Sequence, residues 1–184
     1  DIRNYLSGYQ EQRKVSRVTI DNMRRIFSSF FAWLEDEDFI VKSPVRRIHR
    51  VRTESLVKEV LTDENMEVLR DSCQEIRDIA MIDLLASTGM RVGELVNLNR
   101  EDIDFHERQC VVFGKGNKER EVYFNARTKI HLQNYLSSRT DDNPALFVSL
   151  SNPHSRLSIS GVEVRLRTLG RKVNIAKVHP HKFR

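Results

Sequence analysis

The fold class of this chain of 184 residues is decided by one stretch, CVVFGKGNKEREVYF at residues 110–124. Cys110–Phe113 and Glu121–Phe124 alternate with a period of two, on either side of the glycine-bearing connection Gly114–Lys118. This pattern is typical of a β-hairpin. Apart from a short extended segment at 144–150, most of the chain follows helical spacing. The sequence therefore predicts a mainly α protein with a small antiparallel β-sheet.

Upstream of the hairpin, the first 40 residues have the pattern of amphipathic helices. Thr19 is the predicted N-cap of one of them. Apolar residues then recur at helical spacing and predict one buried stripe, formed by Ile20, Met23, Phe27, Phe30, Phe31 and Leu34. Arg24 and Arg25 lie off this stripe and are predicted to point outward.

A domain boundary is predicted shortly after this helix. Ser43-Pro44 interrupts the helical pattern, and the basic segment RRIHRVR at 46–52 has little periodicity. We predict a helical domain over 1–53 that is incomplete at its N-terminus, a linker over 54–60 and a second domain over 61–184.

The second domain is predicted to begin with a helix capped by Thr62. A strongly apolar helix through Ala86 should close at Gly89, a residue type that readily adopts the left-handed conformation. Helical spacing recurs over 129–136. A capping box at Ser160–Glu163 predicts a further helix that ends near Gly170.

Composition narrows the class of protein. Hydrophobic residues make up 39% and charged residues 31%, which excludes wholesale disorder. There is no apolar run of about 18 residues and no leader-like start, so neither a membrane span nor a signal peptide is expected. Cys73 and Cys110 belong to no metal-binding motif, which favours a reducing, cytoplasmic compartment and no bound metal.

The charge is unevenly distributed. Residues 1–55 carry a net charge of +3, residues 56–104 carry −7, and residues 105–184 carry +9, within a total of +5. A basic third beside an acidic third indicates one face for a polyanion, with nucleic acid as the leading candidate. Basic segments are also common on surfaces that only contact solvent.

Three local features could contribute to chemistry on a phosphate. Arg91 follows the predicted helix end, and Glu94 at i+3 could hold its guanidinium. Lys115 lies between two glycines at the hairpin tip. His181 and Arg184 share one face if Pro180 starts a helix. Each feature also has an ordinary alternative: an exposed ion pair, a surface lysine in a turn, or a common HxxR sequence.

Taken in order, these features resemble one family. The stretches TGMRVGELVNL at 88–98, VVFGKGNKEREVYF at 111–124 and HPHKFR at 179–184 resemble those of the tyrosine recombinases, the phage-type integrases. The upstream half is similar to their helical core-binding domain, and the rest to their mixed α/β catalytic domain. HPHKFR looks particularly like integrases of bacterial mobile elements. The resemblance implies a site-specific recombinase that cleaves and rejoins DNA through a 3′-phosphotyrosyl intermediate, without metal or other cofactor.

The resemblance also implies roles for individual residues. Arg91 would contact the scissile phosphate, with Glu94 orienting it. Lys115 would protonate the departing 5′ oxygen. His181 and Arg184 would be the histidine and second arginine of the family's HxxR motif. Fixed guanidinium groups suit this chemistry, because charge gathers on the equatorial oxygens of a phosphodiester undergoing displacement.

The nucleophile is not assigned. In this family the nucleophile is a tyrosine well downstream of the HxxR motif. The catalytic domain over 61–184 is therefore expected to lack the C-terminal part that contains this tyrosine. Tyr5, Tyr9, Tyr123 and Tyr135 all lie upstream and match no nucleophile position, and Tyr123 and Tyr135 are predicted to be packing residues. This chain of 184 residues is expected to bind DNA without cleaving it.

Double-stranded DNA is the expected partner, and the complete protein is expected to form a tetramer on paired recombination sites. The candidate phosphate contacts are Arg24, Arg25, Arg46, Arg47, Arg50, Arg52, Lys118 and Arg120. Two alternatives stay open: a DNA-binding fragment without catalytic activity, and a type IB topoisomerase, which shares the Arg, Lys and HxxR chemistry.

Overall fold

The computed structural model describes residues 1–52, 60–114 and 118–184. It divides into two compact units, Asp1–Lys58 and Glu59–Arg184. The described residues are mainly helical, with a three-stranded antiparallel sheet, and this confirms the predicted fold class. The predicted linker over 54–60, apart from Val60, lies outside the described residues, as does Lys115 at the hairpin tip.

Over residues 1–52, the first unit contains two helices, α1 over Ile2–Arg13 and α2 over Arg17–Asp36. The predicted apolar stripe of α2 is only partly covered. Ile20 is buried, whereas the ring of Phe30 is half exposed within this unit. The prediction for Arg24 was wrong: its side chain is only 15% exposed because it donates to the buried carboxylate of Asp21.

The second unit contains five α-helices within its described residues: α3 over Asp63–Asp71, α4 over Ile76–Thr88, α5 over Val92–Asn97, α6 over Ala126–Ser138 and α7 over Ile159–Lys172. Short 3₁₀ helices span Arg100–Asp102 and Pro180–Phe183. The sheet consists of β1 over Ile103–Asp104, β2 over Gln109–Phe113 and β3 over Glu119–Tyr123, in that order. The predicted hairpin is thus confirmed as β2 and β3, with Val112 opposite Arg120.

Helix α4 forms the centre of the core of the second unit. Every residue from Ala80 to Leu85 is at most 2% exposed, and α6 packs against this helix. A helix that is covered on all sides must satisfy its charged groups internally. The carboxylate of Asp83 accordingly accepts hydrogen bonds from Nε of Arg70 at 2.6 Å and from Nδ1 of His131 at 2.5 Å.

Two predicted helix caps were wrong by a few residues. Helix α2 is capped by Ser16, whose Oγ accepts from the backbone N–H of Thr19 at 3.2 Å. Helix α7 is capped by Ser158, whose Oγ accepts from Gly161, so Ser160 lies inside the first turn. In each helix two hydroxyl side chains lie close together in sequence. The capping residue is the one whose hydroxyl accepts from the backbone N–H three residues further along the chain.

The two glycines expected to end helices behave differently. Gly89 ends α4 in the left-handed region with φ of 60°, as predicted. Gly170 lies within α7, which continues to Lys172. A Cβ at Gly170 would lie 2.5 Å from Cγ2 of Val178, so close packing and not chain reversal accounts for this glycine.

Candidate functional site

Arg91 lies at the turn between α4 and α5. It is the N-cap of α5, and its backbone N–H donates to Oε2 of Glu94 at 2.7 Å. Nη1 of the same arginine donates to Oε1 of Glu94 at 3.1 Å. The arginine side chain is 52% exposed, whereas that of the glutamate is only 4% exposed. The predicted pair is therefore formed, with a buried carboxylate that holds an exposed guanidinium.

A second arginine occupies the other side of Glu94. Arg120, in β3, donates from Nη1 to Oε1 and from Nη2 to Oε2, each at 2.7 Å. The sequence predicted a phosphate contact for Arg120, and the structure places its guanidinium on a carboxylate of the protein. The period of β3 could have indicated this, because Arg120 shares a strand face with the buried Val122.

Glu94 is ionised over a wide pH range. Burial by itself would raise the pKa of its carboxyl, but hydrogen bonds from Arg120 and Arg91 outweigh this and lower the pKa from 4.5 to about 2. At neutral pH the site thus contains one buried negative charge between two guanidinium groups.

The C-terminal residues approach the same turn. Pro180 and Phe183 are buried and anchor the 3₁₀ helix Pro180–Phe183, which leaves His181 and Arg184 exposed. Cγ of Arg184 lies 3.8 Å from the position that a Cβ would occupy on Gly89, two residues before Arg91. The structure therefore brings the two predicted catalytic arginines to one turn.

The base of the hairpin connection also lies against this site. The backbone N–H of Gly114 donates to the carbonyl of Lys118 at 2.8 Å. A Cβ on Gly114 would lie 3.5 Å from Nη1 of Arg120 and 4.0 Å from Oε1 of Glu94. Lys115 itself lies outside the described residues, so its predicted role as proton donor stays a prediction.

The predicted phosphate contacts of the first unit differ in accessibility. Asp21 binds Arg24 at 2.9 Å and Arg25 at 3.1 Å, and it also accepts the backbone N–H of Val51. It thereby attaches the basic segment to α2. Several candidates are exposed: Arg25, Arg46, Arg47, Arg50 and Arg52. In the second unit Lys118 is exposed too.

Several arginines that add to the basic charge of residues 105–184 have internal partners. Arg139 donates to the carbonyls of Asn143, Ala145 and Leu146. Arg165 pairs with the buried Asp78. The charge count therefore overstates the positive charge that this third of the chain can offer to a polyanion.

Two of the tyrosines were predicted to be packing residues, and one prediction was wrong. Tyr135 is buried and stacks on Phe147 with ring centroids 5.5 Å apart. Tyr123 is 59% exposed because it lies on the outer face of β3, and its hydroxyl donates to Glu121. That hydrogen bond raises the pKa of Tyr123.

The described residues contain neither a metal-binding cluster nor a membrane-spanning helix. No group of three or more His, Cys, Asp or Glu side chains in residues 1–52, 60–114 and 118–184 is arranged to hold a metal ion. Among the helices that the structure describes, none is both long and apolar enough to cross a membrane.

Known proteins resemble this chain over its whole length. Tyrosine recombinase XerC of Staphylococcus aureus is 31% identical, and the match covers 100% of this chain and 64% of XerC. The crystal structure of XerA recombinase matches with 29% identity and a TM-score of 0.63, covering 100% of this chain and 65% of XerA. This chain thus spans a little under two thirds of either relative.

Two solved complexes with DNA show the same fold. XerH, bound to its palindromic difH substrate, matches with a TM-score of 0.77 and 18% identity over 99% of this chain and 57% of XerH. The Tn1549 transposon integrase, in complex with a circular intermediate DNA, matches with a TM-score of 0.74 and 20% identity over 95% of this chain and 66% of the solved integrase chain. The family model described as "Phage integrase family" matches residues 58–184. Because that match spans well over half of the sequence, this chain belongs to the phage integrase family.

Proposed function

We propose that this chain carries the phosphate-binding part of a site-specific recombinase that breaks and rejoins DNA strands. The observation that carries the proposal is the convergence at the end of α4, where Cγ of Arg184 lies close to Gly89 and the buried Glu94 holds Arg91, two residues after that glycine. Two exposed guanidinium groups at one turn are suited to the non-bridging oxygens of a phosphodiester.

The proposed chemistry follows from these groups. A hydroxyl nucleophile gives its proton to the imidazole of His181 and forms a bond to phosphorus, while the bond between phosphorus and the 5′ oxygen breaks and negative charge develops on the equatorial oxygens. Arg91 and Arg184 stabilise that charge, while His181 donates a hydrogen bond to the phosphate. Lys115 protonates the departing 5′ oxygen.

The nucleophile is proposed to be a tyrosine outside these 184 residues. Tyr123 lies on the strand face opposite Arg120, and Tyr135 is buried in the core. Neither hydroxyl is therefore placed to attack a phosphate held by Arg91. Tyr5 and Tyr9 belong to the first unit.

Double-stranded DNA is the proposed partner, supported by the DNA complexes of XerH and the Tn1549 integrase, which share this fold. A tetramer on paired sites and an origin in a bacterial mobile element stay predictions. The matches include both Xer recombinases and a transposon integrase, so they favour neither subclass.

The test of this function is the recovery of a covalent protein–DNA adduct. The whole protein is incubated, in the presence of EDTA, with supercoiled plasmids that carry randomised inserts of about 30 base pairs, a length chosen to exceed two helical turns. Denaturant stops the reaction, and protein-linked DNA is purified and sequenced. We expect adducts at a defined sequence, with the protein on the 3′ phosphate and a free 5′ hydroxyl.

Other outcomes identify the alternatives. Binding of the library without adducts would indicate a DNA-binding protein without cleavage activity. Relaxation of all plasmids regardless of the insert would indicate a topoisomerase. An adduct that requires a divalent metal would contradict the proposed use of guanidinium groups alone.

DNA binding by the 184-residue chain should depend steeply on salt. If phosphate contacts dominate, the logarithm of the binding constant falls linearly with the logarithm of salt concentration, by about 0.9 for each neutralised phosphate. Lys118→Ala should weaken binding to all sequences alike and reduce this slope by about one phosphate equivalent. Fluorescence anisotropy with a labelled duplex at several salt concentrations measures both quantities.

A matched control is Lys172→Ala, which also removes one positive charge. Lys172 contacts Gln74 just before the start of α4, at the opposite end of that helix from Arg91. The Lys172→Ala variant is expected to retain the wild-type slope of the logarithm of the binding constant against the logarithm of salt concentration. Equal effects of the two substitutions would remove the hairpin from the proposed DNA interface.

A further inference from the structure

Glu94 binds its two arginines in different ways. Arg120 makes the side-by-side contact, with two Nη groups on two carboxylate oxygens at 2.7 Å each. Arg91 makes one side-chain contact, from Nη1 to Oε1 at 3.1 Å, and a second contact through its backbone N–H. Among the described residues, Nε and Nη2 of Arg91 donate to no protein acceptor.

This difference separates the roles of the two arginines. The two-point, side-by-side contact is stronger and more specific in geometry than a single hydrogen bond, and Arg120 makes it. Arg91 is thereby limited to one side-chain contact, on Oε1, and its Nε and Nη2 stay unused by the described residues. Its side chain is 52% exposed, against 37% for Arg120. An exposed guanidinium with unused donors is the form that can bind a phosphate.

Arg120 also connects this carboxylate to the hairpin. It pairs with Val112 in the β2–β3 ladder, and a Cβ on Gly114 would lie 3.5 Å from its Nη1. The adjacent hydrogen bond from Gly114 to Lys118 closes the base of the connection. One side chain therefore fixes the hairpin base against the residue that holds Arg91.

We propose that Arg120 is a positioning residue that occupies the side-by-side position on Glu94, so that Arg91 is held with its remaining donors directed at the DNA phosphate. This inference rests on the proposed function, and it gives Arg120 a role through Glu94 instead of a direct phosphate contact. Without Arg120, the side chain of Arg91 can reach Oε2 of Glu94 as well as Oε1, so its guanidinium can turn inward and form the two-point contact itself.

The kinetic test compares variants of the whole protein in single-turnover adduct formation on the sequence recovered above. Arg120→Ala is expected to lower the rate by about 10- to 100-fold, the cost of a misplaced catalytic group, at saturating protein. The dissociation constant for the duplex should change by less than about threefold, because many other phosphate contacts remain. Arg120→Lys should restore only part of the rate, because an ammonium cannot make the two-point contact.

The matched control is Arg127→Ala. Arg127 pairs with Glu67 at 2.9 Å on the surface of the same unit, so its removal also breaks an arginine–glutamate pair. The Arg127→Ala variant should form the covalent adduct at the wild-type rate. An unchanged rate in Arg120→Ala would overturn the proposal while leaving the proposed function intact. A loss of DNA binding that matches the loss of rate would also overturn it and restore a direct phosphate contact.

A structural test does not depend on cleavage. A crystal structure of the Arg120→Ala variant of this chain should show Arg91 with two side-chain nitrogens on the two oxygens of Glu94. If Arg91 keeps its single side-chain contact in that variant, the proposal is wrong even where the whole protein cleaves DNA. If the wild-type whole protein forms no adduct, the proposed function fails, and this structure still decides the placement of Arg91.

Discussion

Replacing Arg91 by alanine is expected to lower the rate of adduct formation by the whole protein by about 10²- to 10³-fold, the effect of removing one fixed donor to developing negative charge. The exposed guanidinium stabilises negative charge on the phosphate oxygens, which is largest in the transition state. Its removal should therefore slow the chemical step more than it weakens DNA binding. Affinity for the duplex should change by no more than about threefold, since most contacts are to other phosphates. Single-turnover adduct formation and fluorescence anisotropy measure the two quantities.

The conservative variant sharpens this prediction. Arg91→Lys keeps the charge but loses the planar array of donors, so its rate should lie between those of the wild type and the alanine variant. The circular dichroism spectra of all three proteins should coincide, since the side chain of Arg91 is half exposed. If DNA binding and cleavage fell together in Arg91→Ala, the arginine would have a structural role instead.

Replacing Glu94 by glutamine is expected to reduce the free energy of unfolding of this chain by about 2–3 kcal/mol at pH 7. This loss lies near the lower limit for breaking a buried ion pair, because both arginines can reach solvent once the carboxylate is gone. The substitution removes the carboxylate that Arg91 and Arg120 share and turns an amide N–H₂ toward a donor. Urea unfolding followed by circular dichroism measures the loss. Glu101→Gln, at an exposed position in the 3₁₀ helix Arg100–Asp102, is the matched control.

The effect of Glu94→Gln should depend on pH in a defined way. The pKa of Glu94 is lowered in the folded state from 4.5 to about 2. A carboxyl with a lowered folded pKa stabilises the protein fully above its unfolded pKa, and this contribution is lost as the pH falls through the folded value. The difference between wild type and variant should thus be constant from pH 7 to about 5 and shrink between 4.5 and about 2. A constant difference across the lower window would contradict the assigned ion pair.

Much of the fold could be predicted from local patterns. The apolar run of α4 predicts a central helix, and Gly89 ends it because glycine tolerates the left-handed conformation at little cost. The period-two stretches around Gly114–Lys118 predict the hairpin, and the structure forms it as an antiparallel pair of strands with Cys110 opposite Val122. In both cases the residues that decide the structure lie within a few positions of one another.

Part of the site was also local. The spacing of Arg91 and Glu94 places both side chains on one turn of helix, and the structure shows that contact at 3.1 Å. The exact helix starts were less accessible to prediction. Ser16 and Ser158 cap their helices although Thr19 and Ser160 are of equally suitable types, since the choice depends on which hydroxyl reaches an N–H group.

The sequence by itself determined the elements, the position of the hairpin and the pairing of Arg91 with Glu94. Only the tertiary structure decided that Arg120, 26 residues from Glu94, takes the strongest position on that carboxylate, and that Arg184 lies over Gly89. The physical reason is that helix periodicity and turn conformation depend on neighbours along the chain. Which guanidinium binds a carboxylate and which stays exposed depends on burial, and burial arises only when distant elements pack together.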